Sequence, residues 1–72
     1  MSEQTTIKVQ LNGKERVIDR GHTVRSLLAW LELTPGMVVV ELNRDILERD
    51  RYEEFPVTEG DALELVHFVG GG

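Results

Sequence analysis

The sequence predicts a small α+β domain, in which one main helix lies on one face of a mixed sheet of four to five strands. Three observations predict this fold: an opening run of alternating apolar and polar residues, one amphipathic helical stripe, and a later apolar run with three consecutive valines. The 72 residues suffice for a single domain, near the lower size at which one hydrophobic core sustains a fold.

The first predicted element is a β-hairpin. Residues 5–11 alternate from Ile7 onward between aliphatic and polar side chains, a pattern typical of a half-buried strand. Asn12-Gly13 follows, and both residue types tolerate the positive φ angles of a two-residue hairpin turn. Residues 14–18 are therefore predicted to form the returning strand.

The second predicted element is an amphipathic helix. Thr23 is a residue type that caps helices, and the apolar residues after it follow the spacing of one helical stripe. The stripe consists of Val24, Leu27, Leu28 and Leu31. Trp30 lies off this stripe. We expect the helix to end near Leu33, because Pro35-Gly36 cannot continue it.

The second half of the chain is predicted to alternate between strands and turns. Met37 to Leu42 is nearly continuous in apolar residues, which predicts a strand buried on both faces or close to it. The remaining predicted segments are a turn at Asn43-Arg44, a short strand or extended segment over 45–47, a solvated irregular segment over 48–54 that Tyr52 and Phe55 pin to the core, a turn over 59–61, and a last strand over 62–69.

The predicted element order is β-β-α-β-(β)-β. A right-handed crossover from the second strand through the helix to the third makes these two strands parallel. This arrangement is the β-grasp, or ubiquitin-like, fold. We expect residues 1–69 to form the single domain and residues 70–72 to form a flexible C-terminal tail.

The composition disfavours several classes of function. Thirteen acidic residues against eight basic ones give a formal charge of −5, whereas nucleic-acid binding requires a basic face. The same charge disfavours anionic membrane surfaces. There is no signal-peptide pattern and no apolar run of membrane-spanning length, so the sequence predicts a cytoplasmic protein. The absence of cysteine excludes disulfides, a thiolate nucleophile and a cysteine-based zinc site.

The sequence offers no convincing catalytic set. His22 and His67 are isolated, and we expect each to be a bystander rather than a catalyst or a metal ligand. The charged residues from Glu48 to Glu54 resemble carboxylate pairs for acid–base work, but a solvated loop explains them better. The chain is therefore predicted not to be an enzyme and not to hold a metal.

The most informative feature is the ending Gly70-Gly71-Gly72, directly after a predicted strand. Glycines without side chains can enter a channel one peptide wide, and three extended residues reach about 10 Å. The α-carboxylate of Gly72 would then be a chemical handle for another protein. The alternatives are a frayed terminus, a cloning remnant or a cut linker.

The last strand carries a second indication of function. Leu63 and Leu65 share the face expected to meet the core, while Val66 and Phe68 share the other face with Glu64. Because one helix covers one face of the sheet, Val66 and Phe68 are predicted to be an exposed partner-docking patch. The alternatives are a loop that folds over them or a bulge that changes the register.

These features together resemble the ThiS family, the sulfur carriers of thiamine thiazole biosynthesis. The resemblance runs from about Ile7 to Gly72 and is most specific at Val38–Asn43, Glu59–Asp61 and Glu64–Gly72. The related MoaD carriers of molybdopterin synthesis share the fold and a terminal Gly-Gly, with a different approach to the glycines. This chain ends on three glycines rather than two, so the working pair of the family corresponds to its last two.

The resemblance implies a carrier on which partner enzymes act. A ThiF-type enzyme consumes ATP to adenylate Gly72, a sulfur donor such as a cysteine desulfurase supplies sulfur, and the resulting thiocarboxylate serves ThiG, the thiazole synthase. No cofactor is bound by the carrier itself. Three alternatives stay open: a MoaD-type molybdopterin carrier, a ubiquitin-like modifier joined to lysines through Gly72, and an interaction module with an inert tail.

Overall fold

A computed structural model describes residues 5–68. Within this range the chain forms a five-stranded mixed sheet with one α-helix on one face, which confirms the predicted α+β, β-grasp fold. The elements are β1 (Thr6–Leu11), β2 (Lys14–Asp19), α1 (Val24–Trp30), a 3₁₀ turn (Pro35–Met37), β3 (Val38–Leu42), β4 (Asp45–Ile46), a 3₁₀ helix (Arg49–Glu54) and β5 (Ala62–His67). Val69 and the predicted tail, residues 70–72, lie outside the described residues.

The strands follow the spatial order β2-β1-β5-β3-β4. The pair β1–β5 is parallel, and the pairs β1–β2, β3–β5 and β3–β4 are antiparallel. It follows that β2 and β3 run in the same direction, as predicted, although β1 and β5 lie between them. The last strand therefore occupies the centre of the sheet.

Both predicted two-residue turns are present. Asn12 and Gly13 have φ angles of 51° and 82°, and Asn43 and Arg44 have φ angles of 51° and 75°. Two successive positive φ angles are the signature of a type I′ turn, whose twist matches that of the antiparallel strands it joins. These turns fix the registers of β1 with β2 and of β3 with β4.

The helix α1 begins where the sequence predicts and ends earlier. Thr23 and Ser26 form a capping box, in which Ser26 N–H donates to Thr23 Oγ1 at 3.1 Å and Thr23 N–H donates to Ser26 Oγ at 2.9 Å. The helix ends at Trp30, so the predicted end near Leu33 was wrong. Glu32 adopts a φ of 63°, which turns the chain out of the helix before Pro35-Gly36 is reached.

The core lies between α1 and one face of the sheet. Its buried members are Ile7, Val9, Leu11, Ile18, Val24, Leu27, Leu28, Val38, Val40, Leu47, Tyr52, Val57 and Leu63. In β3, Val38 and Val40 are buried, whereas Val39 between them is half-buried. The strand is thus less buried on its second face than predicted, because α1 covers the first face alone.

The charged segment after β4 is more regular than predicted. Residues Arg49–Glu54 form a 3₁₀ helix rather than an irregular segment. Tyr52 is buried, and its hydroxyl donates to the Val38 carbonyl at 2.8 Å. Phe55 packs half-buried against the core, and its carbonyl accepts from Val24 N–H at 2.9 Å. The two aromatic residues therefore pin the segment to the core, as predicted.

Candidate functional site

The candidate site is the sheet face opposite α1, which we call the open face. Val66 and Phe68 are 54% and 48% exposed on it. The register of β5 with β3 is continuous, with Val66 opposite Val39, and Phe68 N–H donates to the Met37 carbonyl at 2.8 Å. The predicted exposure of Val66 and Phe68 is confirmed, and neither a covering loop nor a bulge occurs within residues 5–68. Their role in docking stays a prediction.

The strand register extends this surface to two residues that the sequence reasoning missed. Val39 lies directly opposite Val66, and Ile46 lies opposite Glu41 on the same face. Ile46 is 71% exposed. We call Val39, Ile46, Val66 and Phe68 the open-face patch. The parity of the valine run places Val39 opposite to Val38 and Val40, but its neighbours become known only from the pairing of β3 with β5.

Two carboxylates accompany the patch. Glu41 and Glu64 are direct partners in the β3–β5 register, next to the Val39–Val66 pair. Like charges directly opposite each other on one sheet face destabilise the pair. Among residues 5–68 neither carboxylate forms an ion pair. The arrangement combines exposed apolar side chains with negative charge, which favours a partner surface that supplies both apolar contacts and a basic group.

The histidines and Trp30 occupy other surfaces. His67 is exposed and lies opposite Val38 in the register, on the α1 side of the sheet. His22 Nδ1 lies 2.8 Å from Ser26 Oγ, beside the helix cap. Trp30 is 46% exposed, with the Arg16 guanidinium 5.5 Å from its ring centroid. Neither histidine belongs to a cluster of three or more potential metal ligands within residues 5–68.

The tail predicted to carry the chemistry follows the end of β5. Gly70, Gly71 and Gly72 lie outside the described residues, so their role stays a prediction. The described part of the chain ends at Phe68, at the edge of the open-face patch. No helix among the described residues is long and apolar enough to cross a membrane.

Comparison with known proteins agrees with this description. The sequence model of the ThiS family matches residues 9–72. The sulfur carrier protein ThiS of Bacillus subtilis is 44% identical over 66 residues, which make up 89% of this chain and 98% of that protein. The thiazole synthase of Magnetococcus marinus is 38% identical over 66 residues, which make up 92% of this chain but 20% of that longer protein.

A solved structure shows the same fold. The crystal structure of the thiamine biosynthesis protein (ThiS) from Geobacter metallireducens has a TM-score of 0.77 and 36% sequence identity to this chain. The match covers 92% of this chain and 100% of that one. The family match, a relative of nearly the same extent and the shared fold confirm the resemblance seen in the sequence, and the chain belongs to the ThiS family.

Proposed function

We propose that this chain is a sulfur carrier of thiamine biosynthesis, and that it carries the sulfur on the carboxyl group of Gly72. The observation that carries the proposal is the similarity to the Bacillus subtilis sulfur carrier over almost the whole of both chains. The family match extends to Gly72 and includes all three glycines. The protein is then a carrier on which enzymes act, and not itself an enzyme.

The chemistry requires activation from outside. A carboxylate is ionised at neutral pH and is a poor electrophile, so a nucleophile does not displace its oxygen directly. An activating enzyme of the ThiF type would transfer AMP from ATP to Gly72 and release pyrophosphate. The terminal sulfur of a persulfide, as formed on a cysteine desulfurase, would then attack the adenylate and release AMP, and a thiol would reduce the resulting acyl disulfide to leave the thiocarboxylate. ATP is consumed by the enzyme, and the carrier binds no cofactor.

The thiocarboxylate would be used by a thiazole synthase of the ThiG type. Support comes from the Magnetococcus marinus thiazole synthase, in which a region similar to this chain belongs to the same polypeptide. The named relatives favour the thiamine pathway over the MoaD-type carrier and the protein modifier. A cytoplasmic location, where ATP and these enzymes are available, is part of the proposal.

The open-face patch would dock the carrier on its enzymes. Val66 and Phe68 lie at the C-terminal end of β5, the end nearest to the glycines in the chain, and Val39 and Ile46 extend the apolar surface across β3 and β4. An enzyme that binds this face would receive the tail in its active site, so body and tail have separate roles. The body supplies affinity, and Gly72 supplies the reacting group.

The first test is alkylation of the loaded carrier. The full chain is incubated with ATP, a ThiF-type enzyme and a sulfur source, treated with iodoacetamide and mapped by mass spectrometry. The chain has no cysteine, so an adduct in the C-terminal peptide that forms only when ATP and the sulfur source are both present lies on the thiocarboxylate of Gly72 and not on His67. Absence of the adduct, while a known carrier in the same reaction is labelled, would contradict the proposal.

The docking role has its own test with a matched control. Val66→Asp and Phe68→Asp are expected to fold normally and to lose affinity for the activating enzyme. Val17→Asp is the control, because Val17 is 52% exposed and lies on the open face of β2, separated from β5 by β1. If all three variants bind the activating enzyme with equal affinity, then the open-face patch is not part of the docking surface.

A further inference from the structure

A groove lies on the other side of the sheet, away from the open-face patch. It exists because α1 has only seven residues and ends at Trp30, so the helix leaves one end of its sheet face uncovered. The groove has a volume of about 470 Å³, which falls in the range of ligand sites. Its apolar floor consists of Leu11, Leu31, Leu33 and Leu65.

The side chains at the rim of this groove are cationic or hydrogen-bond donors. Lys14 and Arg16 project from β2 on the α1 side, opposite Leu11 and Val9 in the register. Neither forms an ion pair with a carboxylate of residues 5–68. His67 completes the rim, and none of the acidic side chains of residues 5–68 lines the groove, although the whole chain has a charge of −5.

The charged groups of the lining all donate hydrogen bonds, and the imidazole of His67 adds ring nitrogens that can donate or accept. Lysine and arginine side chains donate and do not accept. Asn12 offers a side-chain acceptor, but its Oδ1 already accepts from Leu65 N–H at 2.7 Å. Arg16 is held over the Trp30 ring by a cation–π contact, which leaves guanidinium N–H groups available. A ligand that satisfies this lining must bring apolar groups for the floor and carboxylates for the rim.

We infer that this groove binds an apolar segment flanked by Asp or Glu, supplied by the enzyme that takes up the C-terminus. The identity of that partner rests on the proposed function. The position argues for it, because His67 both lines the groove and is the last residue of β5, one residue before Phe68. An enzyme that receives the residues after Phe68 therefore passes this end of the sheet. The carrier would be held on two sides, by its open-face patch and by this groove.

The direct test is an NMR titration of the full chain with two short peptides. One has the sequence acetyl-Leu-Glu-Leu-Asp-Leu-amide, and the other replaces both acids with lysine. The acidic peptide is expected to shift the amide signals of Leu31, Leu33 and Leu65, and the basic peptide is not. Equal shifts with both peptides, or shifts confined to the open face, would overturn the inference.

Charge reversal supplies the second test. The double variant Lys14→Glu, Arg16→Glu is expected to weaken binding of the acidic peptide, and of a ThiG-type thiazole synthase, by about tenfold. The control is Arg20→Glu, Arg25→Glu, which makes the same charge change at two exposed arginines that do not line the groove. Equal losses in the two double variants would mean that overall charge decides binding, against the groove.

The tests also distinguish two other possible occupants of the groove, which are the chain's own tail and a second copy of the chain. If deletion of residues 70–72 alone shifts the groove signals, the chain's own tail occupies the groove, and the inference is overturned. Groove signals that shift on dilution, with a matching change in sedimentation, would assign the groove to a second copy and overturn it as well. If the carrier is alkylated at Gly72 but its groove binds neither peptide, then the proposed function is supported and the inference about the groove is overturned.

Discussion

Glu41 in β3 and Glu64 in β5 face each other, and this pair destabilises the domain when no partner is bound. The two residues are direct register partners on the open face, so their side chains are neighbours and their like charges repel. Lys8, the basic residue of β1 on this face, lies level with Gly60 and forms an ion pair with Glu15 at 3.9 Å. The free carrier therefore keeps a local repulsion that a basic group of a partner would relieve.

The repulsion predicts a stabilising substitution. Glu64→Gln is expected to raise the free energy of unfolding by about 0.2–1 kcal/mol in low salt, because it removes one of two facing charges. Urea unfolding at low and at high ionic strength measures the effect, and the gain should shrink as salt screens the charges.

A double-mutant cycle isolates the pair. Glu41→Gln should give a similar gain, and the double variant should gain less than the sum of the two, since either change alone removes the repulsion. Glu53→Gln, at an exposed carboxylate of the 3₁₀ helix, is the control for a general charge effect. Additive gains would show that Glu41 and Glu64 do not interact.

The side on which single residues lie could be predicted from the sequence, but their neighbours could not. Strand periodicity of two residues is enough to place Leu63 on the core side and Val66 on the open side. The contact of Val66 with Val39 depends on which strands pair and in which register, and these residues are far apart in the chain. Periodicity within a strand carries no information about that choice, so half of the open-face patch was missed.

The end of α1 is also a feature that the sequence predicted only in part. The sequence identifies Pro35-Gly36 as a barrier, which sets only the last position at which the helix could end. The helix actually ends in a Schellman motif, in which Glu32 N–H donates to the Ala29 carbonyl at 2.9 Å and Leu33 N–H donates to the Leu28 carbonyl at 2.8 Å. Glycine usually occupies the left-handed position of this motif, and glutamate there gives no sequence signal.

This geometry predicts that Glu32→Gly stabilises the protein. Glu32 has a φ of 63°, a left-handed conformation that costs a residue with a Cβ about 1–2 kcal/mol. Glycine removes that cost but increases the entropy of the unfolded chain, so we expect a net gain of about 0.5–1 kcal/mol. Thermal unfolding of the two proteins measures it.

Glu32→Ala is the matched variant for this prediction. It removes the same charge and the same side chain from an exposed site but keeps the Cβ, so it should not reproduce the gain. If alanine stabilises as much as glycine, then the effect comes from the loss of the carboxylate and the backbone explanation is wrong.

At the scale of the whole molecule, the central position of β5 links the fold to the proposed function. The last strand has β1 on one side and β3 on the other: Ala62 and Leu63 pair with β1, whereas Val66 and His67 pair with β3. Phe68, the last described residue, is held by its N–H donating to the Met37 carbonyl beside β3. The element order of the fold was predictable from periodicity and turn residues. The insertion of β5 between β1 and β3 was not, because it is decided by pairing between distant segments.

A fixed body with a separate reacting tail predicts that the two can be impaired independently. Gly71→Trp should leave the free energy of unfolding within about 0.5 kcal/mol of the original, as a change outside the core does. It should keep affinity for the ThiF-type enzyme through the open-face patch, and yet slow thiocarboxylate formation by about a hundredfold, because a bulky side chain misplaces the carboxyl group at the site of adenylation.

Phe68→Asp should show the opposite pattern, with weak binding but normal chemistry when the enzyme is saturating. Calorimetric binding and single-turnover alkylation, measured on both variants, separate the two effects. If Gly71→Trp loses binding and chemistry together, the tail itself supplies the affinity, and the division of roles between body and tail is wrong.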